Sequence, residues 1–308
     1  MEIINLIKQS NKTKYKFYLI DISIRNLVTV LILLIFGNFS LLRKKNKLDN
    51  YSVIVICKKN NIHQQMRNYL SRYKMSMVVP LNVNWILDIY YRKYDIKKIM
   101  WDTTPDVNYI ARSNLDGNYV EFGTWWGKSF YENFFKYQKI LTGKFYAFDS
   151  FCGLPDPSDN EKKFTANDFS KGNYYSSLKT FEMIGELSDA DFSKIITVPG
   201  FYNKTLSTNN IKLDNLKEQS VAICYIDCDL YESTKDVLEF ITPYLINGSL
   251  IYFDDYRLSR ASPYEGEKGA LDDFIKNNPV YDFTQIDLIK SPKKTHSWQG
   301  QWFIFNRI

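Results

Sequence analysis

Short apolar runs alternate with amphipathic stretches from about residue 115 to the end of the chain. The runs contain few polar positions and many β-branched or aromatic residues, which is typical of strands buried on both faces of a sheet. Helical periodicity begins near residue 128 and again over residues 231–245. This alternation predicts an α/β fold with a mostly parallel sheet covered by helices on both faces. The five predicted strands are YVEF (119–122), KFYAFD (144–149), IITVPG (195–200), VAICYID (221–227) and SLIYFDD (249–255).

The first hundred residues follow a different pattern. Residues 26–42 contain no charged residue, and this length is near the lower limit for a membrane-spanning helix, about 17–20 residues. Three interpretations stay open for this segment: a buried helix or strand pair, a segment lying at a membrane surface, and a spanning helix. Residues 51–57 predict a strand, whereas residues 61–73 and 84–100 predict helices.

Charge divides the chain at the same place. Residues 1–100 contain 18 Lys and Arg against 5 Asp and Glu, whereas residues 101–308 contain 22 against 29. The first part therefore carries +13 and the second −7, and the overall +6 describes neither. We predict a basic N-terminal extension over residues 1–100 and an α/β domain over residues 105–308. Membrane-surface contact through residues 1–50 is one interpretation of the basic part. The cluster of Arg43, Lys44, Lys45 and Lys47 has no interleaved aromatic residues, which argues against nucleic acid as its partner.

Histidine and cysteine counts exclude several classes of site. The chain has two histidines, His63 and His296, and four cysteines with no CxxC pair. A histidine-rich zinc site and a zinc ribbon are therefore excluded. Because His296 lies near Trp298 and Trp302, we expect it to pack rather than to catalyse. Free thiols indicate a reducing compartment, so we expect a cytoplasmic protein, with the inner face of the membrane as the alternative.

A glycine-containing turn follows the first predicted strand. Glu121, Gly123 and Gly127 lie in the segment EFGTWWG, and Asp149 ends the next strand. Glycines after a strand allow a tight turn and close approach of the backbone to a ligand. An acidic residue at the end of the neighbouring strand can accept hydrogen bonds from both hydroxyls of a ribose. Together these features point to an adenosine-containing ligand, although GxGxxG itself is absent.

Aspartates end the fourth and fifth predicted strands. Asp227 and Asp229 follow one strand, and Asp254 and Asp255 follow the other. Four carboxylates on one rim of a parallel sheet would repel each other unless a cation compensates them. Oxygen ligands without histidine or cysteine favour Mg²⁺, with Mn²⁺ or Ca²⁺ as alternatives.

These motifs resemble those of the macrocin/mycinamicin (TylF-type) O-methyltransferases, which are class I S-adenosylmethionine (SAM) enzymes. The resemblance covers residues 105–308 and implies a Rossmann-like class I methyltransferase sheet, preceded by an N-terminal extension without counterpart in the family. It implies a metal-dependent transfer of a methyl group from SAM to a sugar hydroxyl of a glycoside, polysaccharide or natural product. The matching segments are YVEFGTWWGKSF (119–130), FDSFCGLPDP (148–157), VPGFYNKTL (198–206), YIDCDLYESTKDVLEFITPYL (225–245), LIYFDDY (250–256) and GALDDF (269–274).

The resemblance also implies a role for each residue in these motifs. Cofactor-binding residues are expected at the ends of the first two strands, metal ligands at the ends of the fourth and fifth, and a general base between them. In that order they are Glu121, Gly123, Thr124, Asp149 and Ser150 for SAM; Asp227, Asp254 and Asp255 for Mg²⁺ or Mn²⁺; and Asp229 as the base.

Two departures from the family pattern stand out. Trp126 occupies a position that is usually smaller or basic, and Asn247-Gly248-Ser249 replaces a Pro-Gly-Gly turn. Neither departure removes a proposed ligand.

A glycosyltransferase is the alternative function, because Asp227-Cys-Asp229 is a DxD sequence of the kind that holds a metal and a sugar nucleotide. It leaves Glu121, Gly123 and Asp149 unexplained. A nicotinamide oxidoreductase explains no metal cluster, and a catalytically inactive adaptor is disfavoured because every expected site residue is present. We expect a carbohydrate-containing substrate and a homo-oligomer.

Overall fold

The computed structural model describes residues 105–159, 161–163, 169–206, 216, 220–287 and 299–308, together with the backbone of four strands between residues 16 and 82. These elements group into two compact units, of which one holds the first four strands and the third helix. The strands are β1 (Lys16–Asp21), β2 (Leu31–Leu33), β3 (Val53–Cys57), β4 (Val78–Asn82), β5 (Asn118–Phe122), β6 (Phe145–Asp149), β7 (Ile195–Pro199), β8 (Val221–Ile226), β9 (Leu245–Phe253), β10 (Tyr281–Ile286) and β11 (Gln301–Arg307). The helices are α1 (Pro105–Arg112), α2 (Lys128–Tyr137), α3 (Leu178–Ser188), the single turn α4 (Tyr202–Thr205), α5 (Tyr231–Ile241) and α6 (Gly266–Asn277).

The first unit contains a four-stranded sheet in the order β2-β1-β3-β4. Strand β3 is parallel to β1 and β4, and β2 pairs antiparallel with β1. The strand predicted over residues 51–57 is confirmed as β3. Within the apolar segment 26–42 the structure describes only β2, and the helices predicted over 61–73 and 84–100 lie outside the described residues. Among the helices it does describe, none combines the length and apolar character needed to cross a membrane.

The second unit is a seven-stranded sheet in the order β10-β11-β9-β8-β5-β6-β7. Strands β5 to β9 are parallel where they pair, and β11 runs antiparallel to both β9 and β10. This arrangement confirms the predicted α/β fold and its five strands. The chain builds outward from β5 through β6 to β7, then returns to β5 and builds the other way through β8. Ligands of such sheets bind outside the carboxyl ends of the strands at this reversal.

Aromatic residues fill the core where β5 meets β6. Tyr119 lies opposite Phe145 and Phe122 opposite Phe148, and all four side chains are fully buried. The Phe122 and Phe148 rings stack with centroids 4.6 Å apart, and those of Tyr119 and Phe145 stack at 5.5 Å. Such pairs contribute about 0.5–1.5 kcal/mol each beyond the area that they bury. The strand pair that carries the glycine turn is therefore rigidly packed.

Strand β9 differs from the prediction because it begins at Leu245 rather than at residue 249. The predicted helix ends earlier, at Ile241, so that the chain can enter the strand through a 3₁₀ turn at Thr242–Tyr244. The irregular register between β8 and β9 in this region is held by the fully buried Ser249. Its hydroxyl donates to the Val221 carbonyl at 2.7 Å and accepts from the Ile246 N–H at 2.9 Å. Ser249 thus connects a carbonyl of β8 to an N–H of β9 across the irregular register.

Replacing this serine tests its role in the sheet. Ser249→Ala leaves a buried carbonyl and a partly buried N–H without this partner, so we expect the free energy of unfolding to fall by about 1–3 kcal/mol. The measurement is urea denaturation followed by tryptophan fluorescence. Ser193→Ala is the control, because the Ser193 hydroxyl bonds only the exposed Asp191 carboxylate. Equal effects of the two substitutions would show that the Ser249 hydroxyl does not support the sheet.

Candidate functional site

A row of backbone hydrogen bonds joins the loops at the carboxyl ends of the strands. The Gly123 N–H donates to the Phe148 carbonyl at 2.8 Å, and the Asp227 N–H donates to the Phe122 carbonyl at 2.9 Å. The Asp254 N–H continues the row by donating to the Ile226 carbonyl at 2.9 Å. These bonds extend the sheet by one residue past each strand end. They bring the glycine turn and both aspartate pairs to one rim, as the parallel sheet predicts.

Gly123 permits the closest approach along this rim. Its backbone is left-handed, with φ at +86°, and a Cβ atom at this position would overlap the carbonyl oxygen of Asp227. A side chain would therefore push apart the ends of β5 and β8. The sequence predicted that glycine lets the backbone approach a ligand. The structure shows that Gly123 also lets the ends of β5 and β8 approach each other.

Asp149 binds the turn that follows Gly123. Its carboxylate accepts hydrogen bonds from the N–H groups of Trp125 at 2.7 Å and Phe151 at 2.6 Å. Burial raises its pKa to about 6, although the bonds from Phe151, Trp125 and Thr124 lower it. An ionised carboxylate has about four acceptor positions, so these bonds leave acceptor capacity for a ligand.

Thr124 and Ser150 flank this carboxylate with different surroundings. Thr124 is buried, and its hydroxyl has no hydrogen-bond partner among the residues that the structure describes. A buried hydroxyl without a partner is costly, and a polar ligand in the turn would satisfy it. The Ser150 hydroxyl instead donates to the Gly153 carbonyl at 2.7 Å and accepts from the Cys152 N–H. Ser150 therefore shapes the loop after β6.

Glu121 is fully buried beneath the rim. Its two carboxylate oxygens accept hydrogen bonds from the hydroxyls of Tyr119 and Ser129. Burial raises its pKa to about 8 despite these donors. Direct contact between Glu121 and a cofactor stays a prediction. In the structure, its hydrogen bond from Ser129 connects β5 to the first turn of α2.

Asp227, Asp229 and Asp255 bring one carboxylate oxygen each into a common space. These oxygens lie within 4.8 Å of one another. Burial and the charges of Asp254, Asp229 and Asp255 raise the pKa of Asp227 well above its ordinary value. Burial, together with the charge and hydrogen bond of Asp255, raises that of Asp229 as well. Burial raises the pKa of Asp255 to about 6. This oxygen-only set suits a hard divalent cation, which would relieve the repulsion.

Asp254 lies beside this group but is held differently. Its carboxylate accepts a hydrogen bond from the Tyr225 hydroxyl at 2.8 Å. The sequence predicted Asp254 as a metal ligand and Asp229 as the base, whereas the structure places Asp229 in the carboxylate group. Asp229 reaches it from a left-handed backbone with φ at 61°. The ligand role of Asp254 stays a prediction.

Two residues near the rim were not found by sequence reasoning. Glu267, at the start of α6, is fully buried and accepts hydrogen bonds from the N–H groups of Cys228 and Asp255. Tyr225 was taken as part of an apolar strand, although its hydroxyl reaches Asp254. The only signal for Glu267 was its position two residues before the segment GALDDF (269–274). His296 lies outside the described residues.

Substitution of Gly123 tests the approach of the strands. In Gly123→Ala the new Cβ overlaps the Asp227 carbonyl, so we expect a loss of several kcal/mol beyond the about 1–2 kcal/mol cost of a left-handed alanine. Gly172→Ala is the matched control, because Gly172 has φ at +77° with no atom within 4 Å of its Cβ position. Urea denaturation of both variants gives the difference. Equal losses would mean that the strands separate without cost.

The buried carboxyl group of Glu121 predicts a pH dependence of stability. Between about pH 5 and 8 the unfolded chain has ionised Glu121 while the folded chain keeps its proton, so stability falls by up to about 1.4 kcal/mol per pH unit. Glu121→Gln removes this contribution. The difference in unfolding free energy between variant and wild type should therefore move in favour of the variant as pH rises through this window. Parallel curves from urea titrations at four pH values would contradict the raised pKa.

A comparison of the sequence with known protein families matches the region that contains this rim. The family model described as Macrocin-O-methyltransferase (TylF) matches residues 97–290. A curated relative is 26% identical over 179 residues, which are 54% of this chain and 64% of the relative, so the match spans less than two thirds of that protein. It is the 8-demethyl-8-(2,3-dimethoxy-alpha-L-rhamnosyl)-tetracenomycin-C 4'-O-methyltransferase of Streptomyces olivaceus.

Two solved structures share the fold. The O-methyltransferase NovP superimposes with a TM-score of 0.51 at 19% identity, covering 74% of this chain and 81% of that one. The calicheamicin methyltransferase CalS11 gives 0.50 at 20% identity, covering 79% and 85%. The fold is thus that of class I methyltransferases. Because the family model spans more than half of the sequence, including the glycine turn and both aspartate pairs, the chain belongs to the macrocin O-methyltransferase (TylF) family.

Proposed function

We propose that this chain transfers a methyl group from SAM to a hydroxyl group of a sugar in a glycoside or related natural product, with the help of a divalent cation. The observation that carries the proposal is the shared rim, which puts Asp149 and the glycine turn beside the group of Asp227, Asp229 and Asp255. Family membership supports the methyl transfer. The name of the Streptomyces relative, which acts on a rhamnosyl compound, supports a sugar acceptor.

The glycine turn and Asp149 would bind SAM. Asp149 would accept the ribose hydroxyls with the acceptor capacity that its backbone bonds leave. The Thr124 hydroxyl would gain the partner that it lacks within the described chain, while Glu121 would hold the turn from beneath. The row of backbone bonds fixes this turn against β8, so the residues that would hold SAM lie beside the carboxylates.

Asp227 and Asp255 would hold Mg²⁺ or Mn²⁺, and Asp229 would accept the proton of the sugar hydroxyl. When bound, SAM supplies the electrophilic methyl group and the cation lowers the proton affinity of the hydroxyl. Asp229 suits proton transfer because one of its carboxylate oxygens lies within 4.8 Å of those of Asp227 and Asp255, close to where a hydroxyl beside the cation would lie. Asp254 stays a proposed third ligand, and the carboxylate geometry gives Asp229 as the alternative.

The relatives named above are methyltransferases and do not support the glycosyltransferase alternative. The DxD residues lie at the end of β8, beside a glycine turn that a sugar-nucleotide site would leave unused. Membrane contact through residues 1–50 rests on residues that mostly lie outside the described part of the chain, and the homo-oligomer stays a prediction.

Two substitutions should separate the cofactor site from the cation site. Asp149→Ala should weaken binding of S-adenosylhomocysteine by at least about tenfold and leave Mn²⁺ binding near the wild-type value. Asp227→Ala should do the reverse and abolish methyl transfer to a sugar acceptor. Isothermal titration calorimetry with each ligand measures both affinities.

The same titrations address the third ligand. Asp254→Asn should retain most of the Mn²⁺ affinity if Asp229 completes the carboxylate group, and should lose it if Asp254 is a ligand. Wild-type protein that binds S-adenosylhomocysteine, and whose activity survives removal of divalent cations by EDTA, would contradict the metal-dependent part of the proposal.

A further inference from the structure

Glu267 links the two loops that carry the aspartates. Its Oε1 accepts a hydrogen bond from the Cys228 N–H at 3.0 Å, and its Oε2 accepts one from the Asp255 N–H at 2.9 Å. Cys228 lies between Asp227 and Asp229, so one carboxylate holds a peptide group from each side of the rim. The side chain is fully buried, and α6 presents it as the second residue of its first turn.

A buried carboxylate at this position is electrostatically unfavourable. A fifth acidic side chain among four aspartates adds repulsion, and the nearest cation along the helix, Lys268, is paired with Asp272 instead. The two peptide donors offset that cost only if both loops stay where they are. A carboxylate alone among the side chains offers two equivalent acceptors in this fork, because a glutamine would turn its NH₂ group toward one of the two N–H donors.

We propose that Glu267 is a positioning residue that sets the spacing of Asp227, Asp229 and Asp255 by holding the Cys228 and Asp255 peptide groups together. This inference rests on the proposed function, since the spacing matters for a cation that the three carboxylates would bind. Glu267 itself is not one of the three residues whose carboxylate oxygens lie within 4.8 Å of one another. Outer hydrogen-bond partners of this kind orient ligands and alter metal affinity.

The test compares Glu267→Gln with Glu161→Gln. Glu161 is the comparison because it is also buried and also accepts from two backbone N–H groups, those of Ser158 and Glu232, but from neither the Cys228 nor the Asp255 peptide group. Hydrogen–deuterium exchange without metal reports on each clamp. In Glu267→Gln the Cys228 and Asp255 amides should exchange about tenfold faster, while Glu161→Gln leaves these two amides unchanged and accelerates those of Ser158 and Glu232.

Metal affinity is the second readout. Glu267→Gln should weaken Mn²⁺ binding about 10- to 100-fold, with S-adenosylhomocysteine affinity unchanged and with a smaller effect from Glu161→Gln. If Glu267→Gln does not fold, Glu267→Asp keeps the charge but is one methylene too short to hold both peptides, and the same results are expected. Unchanged exchange, or faster exchange with unchanged Mn²⁺ affinity, overturns the inference. Wild-type protein that binds no Mn²⁺ instead contradicts the proposed cation site, and exchange alone then decides whether Glu267 holds the loops.

Discussion

The close approach of β5 and β8 at Gly123 is the constraint on which the rest of the rim depends. A single missing Cβ lets the Asp227 backbone pack against the glycine turn, and the backbone bonds on either side align the neighbouring loops. Aromatic stacking between β5 and β6 makes this arrangement stiff. Strand packing therefore sets the positions of the acidic side chains, although the repulsion between their carboxylates disfavours those positions.

That opposition explains the electrostatics of the rim. Burial and mutual repulsion raise the pKa values of Asp227 and Asp229, and burial raises that of Asp255. Keeping these carboxyl groups together in ionised form costs free energy, because they are buried and repel one another. A bound cation would offset that cost. Glu121 and Asp149 differ from this group, because hydroxyl or peptide donors of the chain itself bond to their oxygens.

The sequence was sufficient for five strands of a mostly parallel sheet and for the position of the rim. Apolar runs that end in Asp149, Asp227 and Asp254 predict a parallel sheet with acidic loops, and the family resemblance supplies the rest of the motif. It was insufficient for β10, because YDFTQI mixes polar and apolar residues at the edge of the sheet. It also could not distinguish Asp229 from Asp254, since a left-handed backbone at one and a tyrosine hydroxyl at the other decide where each carboxylate points. Glu267 escaped because its two partners are 39 and 12 residues away in the chain.

The row of hydrogen bonds from Phe148 through Gly123, Asp227 and Asp254 has a thermodynamic consequence. A ligand that tightened the turn at one end of this row would act, through the hydrogen bonds, on the peptide groups at the other end. Linkage then requires reciprocity: whatever an adenosine compound does to the affinity for a cation, the cation does to the affinity for the adenosine compound by the same factor. Through this row of peptide groups the proposed cofactor site and the proposed cation site would act as one cooperative unit, whichever ligand binds first.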